Sequence, residues 1–267
     1  MVQLAILTDL SKCFGCAACM HACKEWHSSG CYGPMTDLDP WGPDPGKAPW
    51  SVFFMRVLQV EVGEFPNTKT FSVPISCFHC RNPACTTVCP TGAIYKRKED
   101  GVVVINYDVC IGCRYCENAC PYGNIIFDPV EGVSKKCVLA IDRIYDDSLP
   151  LYERIPPCVR NCPAGARIFG DMDDPNSIIY RTAVRKGAVP MGAEYGTNPP
   201  SLYVMPGVPT NESGREAAQQ IMSEPNEYAV RTGAADLPTV LSKLKGVKPS
   251  GGHCKVESVG NSKGYGT

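Results

Sequence analysis

Except for Cys31 and Cys254, the 17 cysteines of this 267-residue chain fall into four groups. The most regular is Cys110-Ile-Gly-Cys113-Arg-Tyr-Cys116-Glu-Asn-Ala-Cys120-Pro121. Thiols spaced two, two and three residues apart and closed by proline can hold cubane iron–sulfur clusters, the fourth cysteine serving a neighbouring cluster. Cys13, Cys16, Cys19 and Cys23 repeat the spacing, with Lys24 in place of proline. Cys77, Cys80, Cys85 and Cys89-Pro90 stretch the middle interval, which contains Pro83. The fourth group is incomplete: Ala140 stands where the partner of Cys137 belongs, and Cys158 and Cys162-Pro163 follow far downstream. Disulfides suit this pattern poorly, because a CxxCxxC triplet converges on one cluster more readily than on three bridges. Nor is the spacing that of a zinc ribbon.

Crossing of the fourth cysteine, the habit of two-cluster ferredoxins, predicts four ligand sets. Cys13, Cys16, Cys19 and Cys162 hold the first cluster. Cys23, Cys137 and Cys158 hold the second, with a vacancy at Ala140. Cys77, Cys80, Cys85 and Cys120 hold the third, and Cys89, Cys110, Cys113 and Cys116 the fourth. Alanine cannot bind iron, so the favoured cofactors are three 4Fe-4S clusters and one 3Fe-4S cluster. The alternatives are a fourth iron retained by Asp142 or solvent, or rescue by Cys31 or Cys254. His79 reads as a hydrogen-bonding neighbour rather than a ligand, since Cys80 already occupies the expected position. Lys12, Arg81, Arg114 and Lys136 adjoin ligands, either raising cluster potentials or serving as solvated charge.

The intervening residues must position these groups. Val2 to Thr8 reads as a strand leading into the first group, and Cys16 to Trp26 as a helix that points Cys23 toward a second cluster. Residues 28–50, rich in proline, glycine and aspartate with Trp41 and Trp50, read as a loop. Ser51 to Val62 and Thr70 to Ser76 read as strands, and Ala93 to Ile105 as a hairpin turned at Asp100-Gly101. Asn124 to Phe127 would be a closing strand, after which Pro129 to Gly132 turns the chain away. Cys162-Pro163-Ala-Gly-Ala-Arg167-Ile168 echoes Cys89-Pro90-Thr-Gly-Ala-Ile94, with Arg167 as an extra residue, as after a duplication. A helix is expected from Asp173 to Lys186, and another at Glu212 to Met222. The expected fold is α+β: two nested bicluster ferredoxin-like units with long loop insertions and a C-terminal extension. Residues 1–30 and 131–172 form the split unit, 31–76 the inserted loop and strands, 77–130 the second unit, and 173–267 the extension.

The net charge is −1 and the pI near 6.4, which gives no electrostatic case for nucleic acid or an anionic membrane surface. The most apolar run, Ser51 to Val62, carries Arg56 and Gln59 and is shorter than the roughly 20 residues of a spanning helix. Met1 to Leu10 is too short and acidic for a signal peptide. The chain is therefore expected to lack its own membrane span or export signal. Its expected location is cytoplasmic, membrane-associated through partners, or periplasmic by co-export. No nucleotide loop, nucleophile motif or carboxylate pair points to catalysis. The non-catalytic reading is an electron carrier; the enzymatic alternative uses an open iron beside Ala140 as a Lewis acid.

The four groups, in this order and nesting, resemble the iron–sulfur beta subunits of the dimethyl sulfoxide reductase family of molybdopterin oxidoreductases, over about Val2 to Asp174. The resemblance implies a non-catalytic electron-transfer subunit that docks on a molybdenum or tungsten bis-pterin catalytic subunit. It also implies exchange of electrons with a membrane quinone-reactive subunit. Ala140 departs from the family pattern. The alternative is a polyferredoxin-type carrier serving a hydrogenase or formate dehydrogenase.

Overall fold

The computed structural model of the chain describes residues 2–27, 52–206 and 232–246. Cys31, Trp41, Trp50, the helix expected at Glu212 to Met222, and Cys254 lie outside the described residues. In chain order the regular elements are β1 (Leu4–Asp9), α1 (Ala18–Trp26), β2 (Met55–Val62), β3 (Lys69–Ser76), α2 (Ala84–Thr87), β4 (Ile94–Lys96) and β5 (Val103–Ile105). Then follow α3 (Tyr115–Ala119), β6 (Ile125–Asp128), β7 (Val133–Lys136), α4 (Ile141–Ile144), α5 (Pro157–Arg160), β8 (Arg167–Asp171) and α6 (Ile178–Arg185). The last are β9 (Val189–Pro190), β10 (Leu202–Val204) and α7 (Leu237–Lys243). Small sheets mixed with short helices make the fold α+β.

One pairing rule recurs. A strand that leaves a Cys-Pro corner pairs antiparallel with a strand that enters a cysteine group: β4 with β5, β6 with β7, and β8 with β1. In the third pair Leu4 lies opposite Asp171 and Thr8 opposite Arg167. Parallel addition of β10 to β1 and of β9 beyond it completes a four-stranded sheet in the order β8-β1-β10-β9. All six residues of β1 are buried, as befits a strand paired on both edges.

The expected hairpin at Ala93 to Ile105 forms, and the reason lies in its turn. Asp100 is fully buried, where it accepts from the Val102 N–H, the Arg97 side chain and the Tyr145 hydroxyl, while Gly101 adopts φ +71°. Pro129 to Gly132 does not send the chain away. It closes the β6–β7 hairpin, pinned by buried Lys135, whose ammonium lies 2.9 Å from Asp128 and 3.2 Å from Glu131. The helix expected from Asp173 begins only at Ile178. Its cap is Ser177, whose Oγ accepts from the Tyr180 N–H, while Asp174 is taken by Lys243 at 2.7 Å. Beyond Gly192 the chain makes a 3-10 turn at Ala193–Tyr195 before β10.

Candidate metal centres

The backbone of each cysteine group is set by residues in the left-handed region. In the first, Gly15 (φ +77°) and Ala17 (φ +58°) flank Cys16, and in the third, Gly112 (φ +67°) and Arg114 (φ +63°) flank Cys113. Ala17 and Arg114 are the N-caps of α1 and α3, so Cys19 and Cys116 fall in the first helical turn and Cys23 and Cys120 one turn on. Gly112 is required twice over, because a Cβ there would also collide with the Gly132 carbonyl oxygen.

Backbone N–H groups are aimed at sulfur in a repeated pattern. The residue two after the leading cysteine donates to its thiol: Leu139 to Cys137 at 3.3 Å, His79 to Cys77 at 3.5 Å, and Gly15 to Cys13. After each Cys-Pro corner the residue four positions on does the same: Ala166 to Cys162 at 3.3 Å, Ala93 to Cys89, and Asn124 to Cys120. Such donors favour the thiolate, the form that binds metal. At Cys89, burial pushes the pKa up, but donors from Ile94, Thr91 and Ala93 outweigh it and the net shift is downward.

The groups converge across the sequence. Cys13, Cys16, Cys19 and Cys162 line one pocket, shared with Pro74 and Arg167. Cys77, Cys80, Cys85 and Cys120 line another with Val103 and Tyr122. Cys110 and Cys113 adjoin Cys116, and Cys89 packs on the same small core. Cys23, Cys137 and Cys158 are buried together. Burial first, and neighbouring sulfur second, pushes Cys137 up to about 12. The same two causes take Cys85 to about 12 and Cys80 to about 11. Among the described residues no three His, Cys, Asp or Glu side chains close on a single ion. Instead the thiols stand in fours around shared pockets. Iron fits this donor set, because a buried cluster of thiols can ionise together only around a strong cationic centre.

The fourth group differs in backbone as well as in sequence. Its left-handed residues are consecutive, Leu139 (φ +56°) and Ala140 (φ +51°), so Ala140 occupies the cysteine's place and also caps α4. It is only 3% exposed, between fully buried Leu139 and Ile141. Two residues on, Asp142 Oδ2 accepts from the Trp26 indole N–H at 2.8 Å, while Oδ1 is buried without a partner.

His79 is fully buried, its Nδ1 accepting the Val103 N–H at 3.1 Å. That is the hydrogen-bonding role expected for it. Of the basic residues beside the cysteines, Arg81 pairs with Asp173 and Arg114 with Glu117 near the surface. Lys136 instead is buried, its ammonium donating to the carbonyls of Val103 and Cys137. The residue that sequence reasoning missed is Arg167. Strands β4, β6 and β8 each begin five residues after a Cys-Pro cysteine, at Ile94, Ile125 and Arg167. Arg167 is therefore no extra residue; it replaces a buried isoleucine, and matching the two motifs without a gap would have exposed it.

His27, the C-cap of α1, is buried against Phe54 and near Asp142. Burial holds its pKa below 6.5, and Asp142 only partly offsets this. A depressed histidine contributes stability that is present above pH 6.5 and is lost as pH falls below that value. Acidification below pH 6.5 is therefore expected to lower the melting midpoint through this residue. A His27→Phe variant should lose that part of the slope in thermal melts. An unchanged slope would place the acid sensitivity elsewhere.

Two family models match the chain: a 4Fe-4S dicluster domain over residues 68–172 and a 4Fe-4S binding domain over residues 10–26. The chain is 48% identical over 204 residues to the B component of sulfite dehydrogenase from Allochromatium vinosum, covering 76% of this chain and 83% of that protein. It is 40% identical over 181 residues to the chlorate reductase beta subunit of Ideonella dechloratans, covering 67% of this chain and 47% of that one. With the B component of anaerobic dimethyl sulfoxide reductase from Escherichia coli it shares 37% identity over 180 residues, covering 64% and 75% respectively. Among the described residues no helix is long and apolar enough to cross a membrane. The thiol-lined cavities and these relatives converge on one assignment: the chain itself belongs to the iron–sulfur beta subunits of the dimethyl sulfoxide reductase family, non-catalytic electron-transfer components of oxidoreductase complexes.

Proposed function

We propose that the chain relays electrons through four clusters between a molybdenum or tungsten bis-pterin catalytic subunit and a membrane quinone-reactive subunit or other carrier. Clusters held by these thiolates supply one-electron steps at tunable potential. Cys13, Cys16, Cys19 and Cys162 would hold one, and Cys23, Cys137 and Cys158 a second. Cys77, Cys80, Cys85 and Cys120 would hold a third, and Cys89, Cys110, Cys113 and Cys116 a fourth. Residues 77–130 then form one two-cluster unit nested inside another, made of 1–30 and 131–172, with 173–267 as an extension. The observation that carries this reading is the recurrence of one local geometry, sulfur facing backbone N–H two residues after a leading cysteine and four after a Cys-Pro corner. For the three-cysteine set we favour 3Fe-4S, because only three thiols stand there and buried Ala140 supplies no ligand. A second reading, a 4Fe-4S cluster completed by Asp142, draws on its buried, unpartnered Oδ1.

Anaerobic purification of the native complex tests the reading. Co-elution of the chain with a molybdenum- or tungsten-containing protein, and bleaching of iron–sulfur absorbance when that protein is given its reductant, are expected. A soluble, monomeric, redox-active chain with no such partner would instead favour the free-standing carrier.

A further inference from the structure

Arg167 presents an unusual electrostatic problem. Its side chain is fully buried at the start of β8, where the corresponding strands begin with Ile94 and Ile125. Nε and Nη1 are buried with no hydrogen-bond partner, so among the described residues no carboxylate reaches them. Burying an unpaired guanidinium costs several kcal/mol, which a fold tolerates only where compensating negative charge is supplied. The ionisable groups around it are thiols and the Tyr203 hydroxyl. Arg167 lines the pocket of Cys13, Cys16, Cys19 and Cys162, and its charge also acts on buried Cys23, Cys137 and Cys158. Lys136 contrasts with it, since that ammonium is already satisfied by two carbonyls.

We propose that Arg167 is a positioning residue shared by the first two clusters, its unpartnered N–H groups and positive charge serving their sulfur and raising their reduction potentials. The proposal rests on the ligand sets given above. Thiolate-ligated clusters carry net negative charge, which supplies the missing counter-charge for the guanidinium. Reduction adds a further electron, and a fixed cation in a poorly screened interior favours the reduced form. Isoleucine at the equivalent positions supplies no cation; the charge that acts on Cys85 and Cys120 comes instead from Lys136, whose ammonium already has carbonyl partners.

The test is an EPR-monitored redox titration of the full chain in its complex, with iron counted, for Arg167→Met and Arg167→Lys. In the Met variant two of the four potentials should fall, lowering the reduced-to-oxidised ratio at fixed potential about tenfold, which is 59 mV for a one-electron couple. The other two should stay in place, and Lys should restore most of the loss. If Met fails to retain iron, full loading and near-native potentials in the Lys variant still support a charge role. Unmoved potentials in a fully loaded Met variant overturn the proposal. So do equal shifts in Met and Lys, or loss of iron from both. The iron count of the unaltered chain tests the ligand sets separately, so the two failures are distinguishable.

Discussion

Chelating the iron is expected to abolish the cooperative thermal transition of the chain. The elements around the cysteines are too small to persist alone: α2, α4 and α5 have four residues each, and β4 and β5 have three. Helices shorter than about 12 residues and lone two-stranded hairpins are marginal in water. Even a single structural zinc contributes roughly 10–16 kcal/mol to folding, which matches or exceeds the whole net stability of about 5–15 kcal/mol of an ordinary domain. The four multi-iron centres proposed above would therefore dominate the balance. The sheet of β8, β1, β10 and β9 under α6 is the part expected to survive longest. Its apolar core, with Leu7, Ile179, Ala183 and Val204 packed together, contains no cysteine. Anaerobic circular dichroism before and after chelation measures the effect. A melting midpoint within a few degrees of the loaded protein's would contradict it.

Restoring the missing thiol should change the second cluster outright. In Ala140→Cys the 3Fe-4S signal of the oxidised protein is expected to disappear from the EPR spectrum, with one more iron bound per chain. The backbone imposes little added strain, since Ala140 already holds φ +51° without being glycine. The Asp142 reading makes the opposite forecast. It expects no 3Fe-4S signal in the unaltered chain and the appearance of one in Asp142→Asn. A single pair of spectra separates the two.

The cysteine groups were legible because ligand spacing is a local property, and α1 and the β4–β5 hairpin because periodicity and an Asp-Gly turn are local too. What escaped depended on partners distant in sequence. The helix after Asp173 starts late because Lys243 takes Asp174 and Asp236 reaches the Ile178 N–H. Lys135 and Lys136 look like surface charge in a row of letters, yet both are buried, one against acids in the same hairpin and the other against carbonyls. Arg167 was misjudged because the isoleucines of the two motifs were matched, whereas strand register matches Arg167 with Ile94. The ligand sets themselves remain a proposal that the titrations above address.

The pairing of β1 with β8 has a consequence for biogenesis. The first strand leaves the ribosome long before either of its neighbours, since Leu4 waits for Asp171 and Thr8 for Tyr203. Residues 77–136, whose hairpins close on themselves, can take up iron while the rest is still being made. On the ligand sets proposed above, the N-terminal thiols, by contrast, would wait for Cys162 to emerge. Their cluster would then be the last to be completed as the chain is made, after the unit that lies between them in sequence.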